Sequence, residues 1–64
     1  MNYYRLTVNQ LSEVILRIKA ENLEKAKEIA VYEPQLGQLE EGAVWTVKSR
    51  EVIKVELEDL TVLE

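Results

Sequence analysis

The sequence predicts an α+β fold, a two-layer sandwich in the order β-β-α-β-β, with a mainly antiparallel sheet and one helix on one face. Three observations carry this. Between Ser12 and Tyr32 a period-two alternation passes directly into a stripe with helix spacing. Short β-like runs stand on both sides of that unit. The only proline and both glycines fall together between Pro34 and Gly42, which makes that stretch the main loop of the chain.

Met1 to Val8 reads as the first strand, with Tyr4, Leu6 and Val8 alternating against Tyr3, Arg5 and Thr7. Asn9-Gln10 stands where a tight turn would join it to the next strand, although neither is the glycine such turns favour. The first two strands are therefore expected to form an antiparallel hairpin. In the second, Val14, Leu16, Ile18 and Ala20 share one face, and Glu13, Ile15, Arg17 and Lys19 share the other. At Ala20 the period changes. Leu23, Ala26, Ile29 and Ala30 form an apolar stripe among glutamates and lysines, which predicts a helix from Leu23 to Tyr32. Asn22 is the expected N-cap, because its side-chain oxygen can accept from an N–H of the first turn. Glu21 and Glu24 suit the positive end of the helix dipole. Glu33-Pro34 ends the helix, since a residue before proline is pushed out of the α region.

Pro34 to Gly42 is expected to be a loop pinned to the body by Leu36 and Leu39. Ala43 to Lys48 reads as a third strand with Ala43, Trp45 and Val47 on one face. Trp45 reads as core there, the alternative being an interface anchor. Ser49-Arg50 makes the next turn. Glu51 to Glu58 is a fourth strand with Ile53, Val55 and Leu57 inward and Lys54, Glu56 and Glu58 outward. Asp59 to Glu64 alternates again, as a fifth short strand or as a tail docked on a partner. One ten-residue helix covers four strands poorly, so part of the sheet is expected to stay open or to be closed by a second copy of the chain.

At 64 residues the chain makes a single small domain (1–64) whose buried core is small. It has no cysteine, hence no disulfide, and that composition fits a reducing compartment. A homo-oligomer, most simply a homodimer, is the expectation that size alone raises. MNYYRLTV lacks the basic lead and apolar run of a signal peptide, and no stretch approaches the roughly 20 apolar residues of a spanning helix. The reading is a soluble, cytoplasmic protein with no membrane partner.

Histidine is absent as well as cysteine, which removes the usual general base, the thiol nucleophile and the common zinc ligands. Ser12 and Ser49 have no base of the Ser-His kind to activate them. A single aspartate does not make a calcium loop. Gly37 and Gly42 are not followed by the lysine of a phosphate loop. No catalytic residue, metal or cofactor is expected, and the protein reads as a non-enzyme.

The net charge of −4 is unevenly placed. Through Tyr32 there are four acids against five bases, and from Glu33 onward eight acids against three bases. That balance disfavours direct contact with nucleic acid phosphates and favours a partner with a basic surface. The bland reading is that the carboxylates only keep a small domain soluble. Glu40, Glu41, Glu56, Glu58 and Asp59 carry most of the excess and are the candidate acidic patch. A second candidate surface is the sheet face carrying Tyr3, Arg5, Ile15, Arg17 and Val52, because Tyr and Arg dominate binding hot spots and two outward apolar residues would add a contact patch. An open sheet with an outward tyrosine also permits base stacking, but aromatic positions on the partner strands are lacking and the charge is wrong.

YRLTV followed by EVILRIKAENLEKAKEIA resembles the strand-strand-helix front half of very small phage and mobile-element proteins, including the DpnD/PcfM-like group. WTVKSREVIKVELED has no counterpart in that resemblance. It implies a stand-alone accessory protein of a phage, plasmid or bacterium that binds another macromolecule. Several anti-CRISPR and other anti-defence inhibitors share its smallness and acidity, an analogy of type. The expectation is a protein-binding inhibitor that docks on a larger, nucleic-acid-handling protein in the host cytoplasm. The alternatives are a self-associating structural or assembly domain and an RNA-binding sheet.

Overall fold

A computed structural model describes residues 2–57 and 63 of the chain. The strand β1 (Asn2–Asn9) is followed by β2 (Glu13–Ala20), the helix α1 (Leu23–Tyr32), a 3-10 turn (Pro34–Leu36), β3 (Gln38–Glu41) and β4 (Glu51–Leu57). The four strands form one antiparallel sheet in the order β3-β2-β1-β4, an open α+β layer with α1 on one side.

The β1–β2 pairing is regular from Asn2↔Ala20 to Asn9↔Glu13. Asn9 therefore stays in the strand, and the turn is Gln10, Leu11 and Ser12 in place of the expected Asn9-Gln10. A two-residue hairpin turn needs left-handed backbone that glycine supplies cheaply, and the longer loop relaxes that demand.

Tyr4, Leu6 and Val8 of β1 and Val14, Leu16, Ile18 and Ala20 of β2 are all buried on one face of the sheet, with Val55 of β4. Ala26 and Ala30 close that layer from α1, joined at its margin by Leu23, Ile29, Val52 and Leu57. Two alanines at the contact let the helix backbone lie close over β1 and β2, where larger residues would hold it off. Asn22 Oδ1 accepts from the Lys25 N–H at 2.8 Å, and the Glu33 N–H closes the last turn onto the Ile29 carbonyl at 2.8 Å. The helix limits are those the apolar stripe predicts.

The third strand lies at Gln38–Glu41, inside the stretch expected to be a loop, and not at 43–48. Gly37 lets the chain approach β2, since a Cβ there would stand 2.8 Å from Ile18 Cγ1. Gly42, at φ +87°, ends the pairing where a Cβ would meet the Glu13 carbonyl and Val14 Cγ1, each at 2.8 Å. β3 borders β2 whereas β4 borders β1, so the connection has to cross the end of the hairpin. Residues 43–50 make that crossing without regular structure. Trp45 is 49% exposed and is not core, because the alternation of Ala43, Trp45 and Val47 has no neighbouring strand to pack on.

In β4 the phase differs from the alternation. Thr7 faces Lys54 but Val8 faces Val52, a bulge that leaves Ile53 as an extra residue. Val52 consequently packs on the core and Ile53 is 47% exposed, the reverse of the expectation for both. The fifth strand expected over 59–64 lies outside the described residues, apart from Leu63, whose N–H donates to the Val55 carbonyl at 2.8 Å.

Candidate functional site

Alternation buries one side of the sheet under α1 and sends the other side to the helix-free surface, as antiparallel sheets commonly do. That surface carries Tyr3, Arg5 and Thr7 from β1, Ile15, Arg17 and Lys19 from β2, Gln38 and Glu41 from β3, and Lys54 and Glu56 from β4. One row runs across all four strands as Glu56, Arg5, Arg17 and Gln38.

The row sets Arg5 directly opposite Arg17, and like charges in that relation repel. Their side chains turn apart. Arg5 Nε meets Glu40 Oε2 at 2.8 Å. Arg17 lies over the Tyr3 ring, Cζ to centroid 4.0 Å, with Nη1 donating to Gln38 Oε1 at 3.5 Å. Lys19 Nζ stands 5.5 Å from the same ring, so Tyr3 is flanked by two cations. Between the Arg5–Glu40 pair and the Arg17–Tyr3 stack lies a depression of about 510 Å³, lined by Tyr3, Tyr4, Arg5, Arg17, Gln38 and Glu40. On the other side of Arg5, Lys54 Nζ pairs with Glu56 Oε1 at 3.6 Å.

The structure thus gathers Tyr3, Arg5, Ile15 and Arg17 on one surface and removes Val52 from it, because the bulge turns Val52 to the core. Of the acidic set, Glu40 and Glu56 are interleaved with Arg5 and Lys54, and Glu41 sits beside Ile15 on the β3 edge. Glu58 and Asp59 lie outside the described residues. The acidic and sheet-face candidates are therefore one mixed-charge surface as far as Glu40, Glu41 and Glu56 are concerned. Sequence reasoning missed Gln38, whose strand was taken for loop, and missed Gln10 and Arg50. The flanking glycines were the available signal for β3, since glycine permits the close approach a strand edge needs.

At the hairpin end, Gln10 and Arg50 hold the crossing segment. Gln10 Nε2 donates to the Ala43 carbonyl at 2.7 Å, and Gln10 Oε1 accepts from Arg50 Nε at 3.2 Å and from the Trp45 N–H at 3.5 Å. Arg50 Nη1 donates to the Val31 carbonyl at 3.3 Å, and Nη2 donates to the Trp45 carbonyl. One guanidinium thereby caps α1, whose own last turn has no base, and fixes the backbone that presents Trp45. Leu11, 74% exposed, and Val44 project at the same end.

Among the described residues no group of three His, Cys, Asp or Glu side chains is placed to hold a metal ion. No helix is long and apolar enough to cross a membrane. No protein-family model, curated protein or solved structure matches the chain.

Proposed function

We propose that this chain is a non-enzymatic protein-binding module whose helix-free sheet face docks on a larger protein. The observation that carries the reading is the Arg17 guanidinium stacked at 4.0 Å on Tyr3 beside the Arg5–Glu40 pair. Side chains of the types that anchor interfaces are held in place before any partner arrives, which lowers the ordering cost of binding. Base stacking is the poorer use of this face, since Arg17 covers one side of the ring and Glu40 lines the depression beside it. The acidic balance of the second half supports a partner with a basic surface, as a nucleic-acid-handling protein has. Inhibition of such a machine in the cytoplasm, in the manner of anti-defence proteins, is the role that the resemblance to mobile-element proteins favours.

The test is capture from cells that express the chain, with wild type, Tyr3→Ala and Arg17→Ala as parallel baits. One protein held by wild type and lost by both variants supports the reading. Equal recovery by all three baits sinks it.

A second reading, self-association, is favoured by a separate observation: Leu11, Val44 and Trp45 are all exposed at the hairpin end. Apolar side chains gathered at one place mark contact surfaces.

A further inference from the structure

The two edges of the sheet are not equivalent. On the β4 side, Val55 accepts a backbone hydrogen bond from the Leu63 N–H, so the chain itself occupies that edge there. On the β3 side all four residues are exposed, and among the described residues nothing pairs with the outer side of the strand. An open strand edge is a row of N–H and C=O groups that a further extended segment completes. β3 is also held ready for one. Glu40 ties it to Arg5 across β2 at 2.8 Å, and the close approaches of Gly37 and Gly42 to Ile18 and Val14 fix its two ends.

The surroundings state what kind of segment fits. From Glu33 to Val47 the chain carries three glutamates and no lysine or arginine. Glu40 is spent on Arg5, which leaves Glu41 at the edge, on the same outer face as Glu13 at the start of β2. On the opposite face Leu39 stands across from Leu16 and is exposed. A strand added here meets carboxylates on one face and an apolar side chain on the other.

We propose that the outer edge of β3 accepts an extended segment of another protein as an added strand, with lysines or arginines alternating with apolar residues. This rests on the reading of the chain as a protein-binding module and gives that module a partner chemistry. A second copy of the chain is the wrong occupant. Pairing β3 with its own two-fold mate would crowd Glu40 and Glu41 of both copies into one four-residue strand pair that carries no lysine or arginine, and like charges gathered on paired strands oppose it. A basic segment reverses the sign of that interaction.

The probe is a synthetic peptide alternating lysine with valine, added to the isotope-labelled full chain, with amide shifts and hydrogen exchange followed by NMR. The expected result is shifts concentrated on Gln38–Glu41, slowed exchange there, and affinity that falls with salt. The same peptide with glutamate for lysine does not bind. Of two lysine peptides, N-methylated on alternate amides in the two possible phases, at least one fails. Glu41→Lys weakens binding by about tenfold, whereas Glu24→Lys on the exposed side of α1 leaves it unchanged. Absence of shifts at saturating peptide, tolerance of N-methylation in both phases, or shifts centred on Tyr3 and Arg17 would overturn the proposal. So would protection of Gln38–Glu41 that rises with protein concentration alone, which would make the occupant a second copy. Tyr3→Ala and Arg17→Ala should keep the peptide while losing the sheet-face partner, so the two readings fail separately.

Discussion

Val8 faces Val52 across β1 and β4, although Thr7, one residue earlier, faces Lys54. The extra residue, Ile53, bends the strand so that Val52 and Val55 both reach the core. Val52→Ala should therefore cost about 1 kcal/mol, and Ile53→Thr no more than about 0.5 kcal/mol. Urea unfolding of the two variants measures both. Equal costs would mean that strict alternation, and not the bulge, describes β4.

Asn22 satisfies the Lys25 N–H at the start of α1. Asn22→Ala should lower stability by about 1 kcal/mol, and Asn22→Asp should recover most of it. Far-ultraviolet circular dichroism through a denaturant titration reads both. An alanine variant as stable as wild type would show that the cap does not hold this helix.

The two glycines differ in what a methyl group would meet. At Gly42 it would strike the Glu13 backbone carbonyl at a positive φ, and at Gly37 it would strike Cγ1 of Ile18, a side chain of the buried core. Gly42→Ala should cost about 1–3 kcal/mol, and Gly37→Ala less, because Gly37 has an ordinary φ of −89° and its methyl group would meet a side chain and not a carbonyl. Thermal midpoints of the pair check the order.

Arg50 spans the helix end, the hairpin turn and the crossing segment. Arg50→Ala should cost about 1–3 kcal/mol, and lysine should not rescue it, since a single ammonium cannot reproduce the separate Nε, Nη1 and Nη2 donors that reach Gln10, Val31 and Trp45. Trp45 is the only tryptophan, so its emission reports the same event. Loss of the Arg50 contacts should move that emission toward the red as the segment loosens.

Self-association through the hairpin end predicts a species larger than a monomer in sedimentation at micromolar concentration, with a blue shift of Trp45 emission as concentration rises. Leu11→Ser and Val44→Ser should shift the equilibrium toward monomer. A monomer at every concentration, with invariant emission, removes this reading.

The hairpin and the helix were legible because each repeats one signal over eight or more residues: Glu13 to Ala20 holds its phase, and Leu23 to Ala30 holds its stripe. β3 was not legible. Gln38–Glu41 is four residues long, exposed throughout and bounded by glycines, so it has neither alternation nor apolar weight. Ala43 to Val47 has both and is not a strand, because chain topology sends it across an end of the sheet where no neighbour pairs with it. The bulge at Ile53 was equally silent, since an extra residue in an apolar run leaves composition unchanged. Of the candidate surface, Tyr3, Arg5, Ile15 and Arg17 followed from the hairpin phase alone. The union of Arg5 with Glu40 did not, because it depends on β3.

The first strand of this chain is an inner strand. In the order β3-β2-β1-β4, one side of β1 pairs at once with β2, but its other side waits for a segment about 40 residues further on. At a synthesis rate of about 5–20 residues per second, that is an interval of roughly two to eight seconds. During it the hairpin and helix can assemble, while the inner strand stays open along the edge that Glu51–Leu57 will close. A nascent chain halted before Glu51 therefore displays an uncovered strand edge next to Leu6 and Val8, the kind of template on which neighbouring chains aggregate.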